Sequence, residues 1–300
     1  MRIVSSIGEM RTDARRLRRQ GRVVGLVPTM GALHEGHLSL VRRAQSECDA
    51  LVVSIFVNPL QFGPAEDYAR YPKSLDRDLE LLRPFGVEIV FAPEAAEMYP
   101  RGFGTHVEPG PVAEPLEGSA RPAHFCGVAT VVLKLLNLVE PEAAYFGQKD
   151  FQQVMVIRRM VEDLNVGTRI AVCPIVREPD GLALSSRNTY LNPEHRRAAP
   201  ALYRSLRRAQ ELFETGEHCA ATLLAEMRAV LESEPLAKPE YAAIVDPATM
   251  EAVDRVEPGM VALVASRVGA ARLIDNLIFG PAGDSDDHLI ELALSAAAAG

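Results

Sequence analysis

Short, continuously apolar runs alternate with longer stretches of helical spacing over the first part of the chain. Val23–Pro28 (VVGLVP), Leu51–Val57 (LVVSIFV), Val87–Phe91, Ala143–Phe146 and Arg169–Val172 are strand-sized and apolar almost throughout, as strands buried on both faces are. Between them the spacing predicts a helix from about Glu35 to Ser46. A second runs from a Ser74 cap through about Leu82, closed by Pro84 and Gly86. Further helices are predicted over Ala129–Val139 and from Asp150 to about Asp163. This alternation predicts an α/β protein with a parallel sheet covered by helices on both faces, a class that binds ligands at the carboxyl ends of its strands.

The texture changes near Val176. Glu194–Thr215 and Cys219–Ser233 read as long amphipathic helices, and Tyr241–Val245, Val261–Ala265 and Arg272–Asn276 as short strands. We therefore expect a first domain over 1–176 and a smaller α+β domain over 177–280. The last stretch, 281–300, holds GDSDD and an alanine-rich run and is expected to be a frayed, flexible tail.

Composition narrows the function classes. A chain of 300 residues, 48% hydrophobic and 24% charged, has the profile of a folded protein long enough for two cores. The net charge of -8 argues against a nucleic-acid partner. Cys48, Cys126, Cys173 and Cys219 are far apart and are expected to be small buried hydrophobes in a reducing compartment. The N-terminus lacks a signal-peptide core, and no apolar run could span a bilayer. A soluble cytoplasmic protein is the expectation.

Four stretches carry candidate chemistry, each just after a predicted strand or in a connecting loop. In Pro28-Thr29-Met30-Gly31-Ala32-Leu33-His34-Glu35-Gly36-His37, a glycine turn leads into a helix start, where free N–H groups and the positive dipole end suit phosphate. His34 and His37 share one helix face and can donate to phosphate oxygens. The alternatives are a capping or core histidine, or a zinc site, which would need a further ligand. In Gly147-Gln148-Lys149-Asp150, Lys149 supplies a mobile cation; a solvated loop lysine is the plainer reading. In Val176-Arg177-Glu178-Pro179-Asp180-Gly181-Leu182-Ala183-Leu184-Ser185-Ser186-Arg187-Asn188, a Pro-Asp-Gly turn precedes two hydroxyls and a guanidinium fork suited to triphosphate oxygens. A polar interdomain linker would look similar. In SIFVNPLQFG, Asn58 and Gln61 lie between Phe56 and Phe62, a lining for a small polar substrate with an apolar body, or simply a turn. The charged loop Glu66–Pro72 could cover the site, help hold a cation or be merely solvated. Neither the P-loop nor the dinucleotide glycine fingerprint is present.

Taken in order, PTMGALHEGH, SIFVNPLQF, GQKDFQQ and VREPDGLALSSRN resemble the pantoate–β-alanine ligase (pantothenate synthetase) family, from about Val24 to Asn192 and more weakly to about Asn276. The H-x-G-H part is shared with a wider group of nucleotidylyl transferases. The resemblance implies a Rossmann-like first domain and a second domain acting as a lid. ATP would meet Met30, Gly31, Ala32, Leu33, His34, Glu35, Gly36 and His37, with His37 as proton donor. It would also meet Gly147, Gln148, Lys149 and Asp150, and Val176, Leu184, Ser185, Ser186 and Arg187. Gln61 and Gln153 would hold pantoate, Gln61 lying also near β-alanine, with Asn58, Arg121 and His124 at the pocket. Mg2+ would arrive with ATP, Asp76 being a possible outer contact, and the family is typically dimeric. The chain departs from the family pattern at Cys126 and Phe151, neither a proposed phosphate contact. A related transferase acting on a phosphorylated small molecule would need a basic acceptor pocket, whereas the Asn58 and Gln61 lining is uncharged. A non-catalytic nucleotide or RNA binder would have no need of all four motifs.

Overall fold

A computed structural model describes residues 1–64 and 68–299; Glu66 and Asp67 of the charged loop lie outside the described residues. The chain groups into two compact units, Met1–Gly147 with Gln153–Cys173, and Gln148–Gln152 with Pro174–Gly300.

In chain order the first unit carries β1 (Arg2–Val4), α1 (Ile7–Arg19), β2 (Val24–Thr29), α2 (Glu35–Glu47), β3 (Ala50–Ile55), α3 (Leu75–Leu82) and β4 (Ile89–Phe91). The short α4 (Ala95–Met98) and α5 (Glu117–Ala120) follow, then α6 (His124–Val139), β5 (Ala143–Gly147), α7 (Phe151–Asp163) and β6 (Arg169–Cys173). The strands form one sheet in the order β1-β4-β3-β2-β5-β6, parallel at every pairing. Val24, Leu26 and Val27 of β2 and Val52 and Val53 of β3 are fully buried, which is why these strands lack polar alternation. After β2 the chain builds outward through β3 to β4. It then returns through α6 to lay β5 on the other side of β2. The order therefore reverses between β2 and β5, the place where open α/β sheets hold ligands beyond their carboxyl ends. Thr29 ends β2 there and Gly147 ends β5.

The second unit is α+β. It carries α8 (Pro193–Ala198), α9 (Ala201–Glu214), α10 (Ala220–Glu232), β7 (Ala237–Val245), β8 (Val261–Val268), β9 (Ala271–Ile278) and α11 (Asp286–Ala299). An antiparallel sheet runs β7-β8-β9. Leu202 and Leu206 of α9 and Leu223, Met227 and Leu231 of α10 share a core with Val264 and Leu273 of the sheet. The single helix expected over 194–215 is broken into α8 and α9, because Pro200 has no N–H to continue the ladder.

Three expectations need correction. The stretch expected to be a frayed tail instead forms α11 over Asp286–Ala299, which buries Ile290 and Ala293. The apolar positions at i and i+3 were masked by the alanines around them. Residues 148–152, assigned from sequence to the first domain, group with the second unit, because the Asn276 side chain bonds the backbone of Gln148 and Lys149. Of the cysteines only Cys173 is buried, and Cys219 is exposed at the start of α10. No described helix is long and apolar enough to cross a membrane.

Candidate active site

The turn after β2 is held by local bonds and one buried carboxylate. Thr29 Oγ1 donates to the Ser54 carbonyl at 2.7 Å and accepts from Gly31 N–H at 3.2 Å. Gly31 has φ +83, and a Cβ there would lie 2.9 Å from Asp78 Oδ2, so neither conformation nor space admits a side chain. Ala32 also sits at positive φ, +50. Asp78 holds it there: Oδ2 accepts from Ala32 N–H at 2.9 Å and Oδ1 from Leu33 N–H at 2.8 Å. Burial pushes the Asp78 carboxyl above its usual range, while the N–H donors of Leu33 and Ala32 pull it back. Replacing Asp78 by Ala should leave two N–H groups without their acceptor, at about 1–3 kcal/mol each. Urea unfolding should show a loss of roughly 2–6 kcal/mol; a loss below about 0.5 kcal/mol would mean the carboxylate does not hold the turn.

His34 and His37 then open α2 as a reciprocal cap. His34 Nδ1 accepts from Gly36 N–H at 3.2 Å, and His37 Nδ1 accepts from His34 N–H at 3.3 Å. An accepting Nδ1 carries no proton, so each neutral ring bears its proton on Nε2. The rings lie 4.1 Å apart between centroids. The capping alternative is thus met by Nδ1 of each ring, and the donor reading concerns Nε2–H. Glu35 is exposed and paired with Arg42.

A second cluster in the same unit surrounds Gln61. Asn58 caps the turn Pro59–Gln61 and uses its whole amide within the protein. Oδ1 accepts from Leu60 N–H at 3.3 Å and from Tyr99 O–H at 2.7 Å. Nδ2 donates to Gln61 Oε1 and to the Gly127 carbonyl, both at 3.0 Å. That fixes the Gln61 amide, whose Nε2 faces Met30 Sδ at 3.2 Å. A Cβ on Gly127 would lie 2.3 Å from the Leu60 carbonyl oxygen and 2.6 Å from Gln61 N, so glycine alone lets α6 approach this turn. His124 Nδ1 lies 2.9 Å from the Gln61 carbonyl and its Nε2 lies 3.1 Å from Arg121 Nη1. The carbonyl only accepts and the guanidinium only donates, so the neutral ring with its proton on Nδ1 satisfies both. Gln153, on α7, is half-buried.

Further candidates belong to the second unit. Gln148, Lys149 and Asp150 form one 3-10 turn. Lys149 Nζ lies 3.5 Å from Asp150 Oδ1. Val176 and Leu184 pair across a hairpin, Leu184 N–H donating to the Val176 carbonyl at 2.9 Å. Its tip is a turn over Glu178–Gly181 closed by Gly181 N–H to the Glu178 carbonyl at 2.8 Å. Ser185 caps the 3-10 turn Ser186–Tyr190 by accepting from Arg187 N–H at 3.3 Å. Ser185, Ser186 and Arg187 are all half-buried.

Asp76 is exposed in the first turn of α3, and among the described residues no group of three or more His, Cys, Asp or Glu is placed to hold a metal ion. Asp78, Tyr99, Asp275 and Asn276 escaped the sequence reading. For Asp78 the signal was available: Leu75, Asp78, Leu79 and Leu82 occupy one helical face, and a charge within an apolar stripe calls for a buried partner.

The family model for pantoate-beta-alanine ligase matches residues 2–278. A pantothenate synthetase of Roseiflexus castenholzii is 59% identical over 278 residues, covering 93% of this chain and 99% of that one. The crystal structure of pantothenate synthetase from Thermus thermophilus matches with a TM-score of 0.89 at 49% identity, covering 93% of this chain and 100% of that one. A pantoate-beta-alanine ligase from Francisella tularensis, solved as a complex with beta-gamma ATP and beta-alanine, matches with a TM-score of 0.77 at 37% identity, covering 93% and 97%.

Proposed function

The chain belongs to the pantoate–β-alanine ligase family, and from that premise we propose how its own residues carry the reaction. It is an ATP-dependent ligase that condenses pantoate with β-alanine through a pantoyl adenylate, giving pantothenate, AMP and pyrophosphate. The observation that carries the residue assignment is the reciprocal histidine cap beside the reversal of strand order.

Pantoate carboxylate attacks the α-phosphorus of ATP and pyrophosphate leaves. The β-alanine amine then attacks the acyl carbon and AMP leaves. No covalent nucleophile of the protein is required, so the side chains orient reactants, neutralise growing charge and keep water from the mixed anhydride. In our reading Met30 to His37 line the nucleotide, and the Nε2–H groups of His34 and His37 donate to its phosphate oxygens, with His37 as proton donor. Lys149, on the turn with Gly147, Gln148 and Asp150, neutralises phosphate charge. Ser185, Ser186 and Arg187, with Val176 and Leu184, complete the ATP contacts. Gln61 and Gln153 hold pantoate. Asn58 acts behind Gln61, since its amide is already fully bonded, and His124 with Arg121 fixes the Gln61 backbone.

Mg2+ would come with ATP and neutralise its phosphates; exposed Asp76 suits an outer contact, and no described acidic cluster offers a separate site. Work in the cytoplasm as a homodimer completes the proposal.

The test is AMP release coupled to a reporter, with pantoate, β-alanine or ATP omitted in turn. Dropping β-alanine alone should abolish AMP release yet leave one turnover of pyrophosphate. Turnover with a phosphorylated acceptor in place of pantoate, and none with pantoate, would move the chain to the related transferases.

A further inference from the structure

Asn276 occupies an interior position of β9 and is 1% exposed. A buried amide in a strand is costly unless its donors and acceptor are all used. Its partners are not in the sheet. Nδ2 donates to the carbonyls of Gln148 and Lys149, both at 2.9 Å, and Oδ1 accepts from Gln148 Nε2 at 3.1 Å. One amide thus captures two successive carbonyls of the turn from which the Lys149 side chain projects, together with the side chain before it.

The strand behind this clamp is itself pinned. Asp275, buried beside Asn276, accepts from Asn276 N–H at 2.8 Å. Its two oxygens receive the two prongs of the Arg177 guanidinium at 2.6 and 2.9 Å. Arg177 also donates to the Gly181 carbonyl at 3.0 Å and the Asn276 carbonyl at 3.3 Å, and stacks 4.2 Å from the Tyr203 ring centroid. A bidentate guanidinium–carboxylate pair, here with its carboxylate buried, is a strongly directional side-chain contact. Here it fixes backbone on both flanks of Asn276. The Lys149 side chain is held far less tightly, its contact with Asp150 being a long one at 3.5 Å.

We propose that Asn276, braced by the Arg177–Asp275 pair, is the positioning residue for Lys149, holding the turn so that the ammonium is presented in one place. The claim rests on the reading of Lys149 as a phosphate-directed cation. It assigns Asn276 no contact with a reactant. Its polarity matters more than its size: an aspartate of nearly the same shape would turn two donors into acceptors facing two carbonyls.

Asn276→Ala, which removes three hydrogen bonds, and Asn276→Asp, which removes two and sets an acceptor against two carbonyls, should each lower kcat/KM for ATP about 10- to 100-fold, with Asp the worse of the two. The discriminating measurement is the same pair of substitutions in a Lys149→Ala background. Residues acting through one another are non-additive, so the further loss there should be under about 3-fold. Equal losses in both backgrounds, or no loss in the parent, would overturn the positioning role. Parental rates from Lys149→Ala alone would instead sink the reading of Lys149, and this proposal with it. Should the Ala variant fail to fold, as judged by thermal unfolding, Asn276→Ser retains one short donor and carries the same comparison. It is expected to fall between the parent and Asn276→Asp.

Discussion

Lys149→Ala is expected to lower kcat/KM about 100-fold or more while leaving stability nearly unchanged. The two halves of that statement have separate grounds. The side chain is one-fifth exposed and its carboxylate neighbour, Asp150, is about half exposed; such pairs contribute at most about 1 kcal/mol to folding. An ammonium aimed at phosphate oxygens, by contrast, acts on charge that grows as the α-phosphorus is attacked, and the first step of the reaction has no covalent help to compensate for its loss. Lys149→Met, which keeps the stem and removes the charge, should be as slow as Ala. Lys149→Arg should recover only part of the rate, because a planar fork does not replace a compact point charge. Steady-state pyrophosphate release across the three variants, with urea unfolding as the control, decides the matter. Activity within about 3-fold of the parent in the Ala variant would remove Lys149 from the reaction.

The architecture was legible where burial was symmetric. β2, β3 and β5 sit inside a parallel sheet with both faces covered, so their sequences are apolar without alternation and could be read directly. β1 escaped because it has three residues, of which only Val4 is buried. α1 escaped although Met10, Ala14 and Leu17 are spaced for one buried face; the arginines between them hid the stripe. The candidate site residues on loops stood out in the sequence, because glycine turns, imidazoles and hydroxyls at strand ends are types a packed core does not need. Their supports were not. Asp78 lies 46 residues from Ala32, and Asn276 lies 128 residues from Gln148. Only folding brings those groups together. The helical stripe around Asp78 says that it needs a buried partner but not which one, and Asn276 carries no local signature at all. A sequence read for candidate contacts with a substrate therefore misses the distant residues that bond to those candidates.

His37 offers the sharpest separation of structure from chemistry, because its two ring nitrogens have different tasks. Nδ1 accepts the His34 N–H and closes the helix cap; Nε2 carries the proton that the proposed mechanism uses. Asparagine places its oxygen near the position of Nδ1 and has nothing where Nε2 was. Glutamine reaches toward the Nε2 position with an N–H donor but has no acceptor in place of Nδ1. His37→Asn is therefore expected to unfold within about 0.5 kcal/mol of the parent while losing roughly 100-fold in the adenylation step. His37→Gln should show the opposite balance, about 1 kcal/mol less stable for the lost cap, yet faster than the Asn variant. Single-turnover pyrophosphate release and urea unfolding on the same preparations give both numbers. If the two variants lost rate in proportion to the stability each lost, His37 would be a cap and nothing more, and the donor role would pass to another group on the turn.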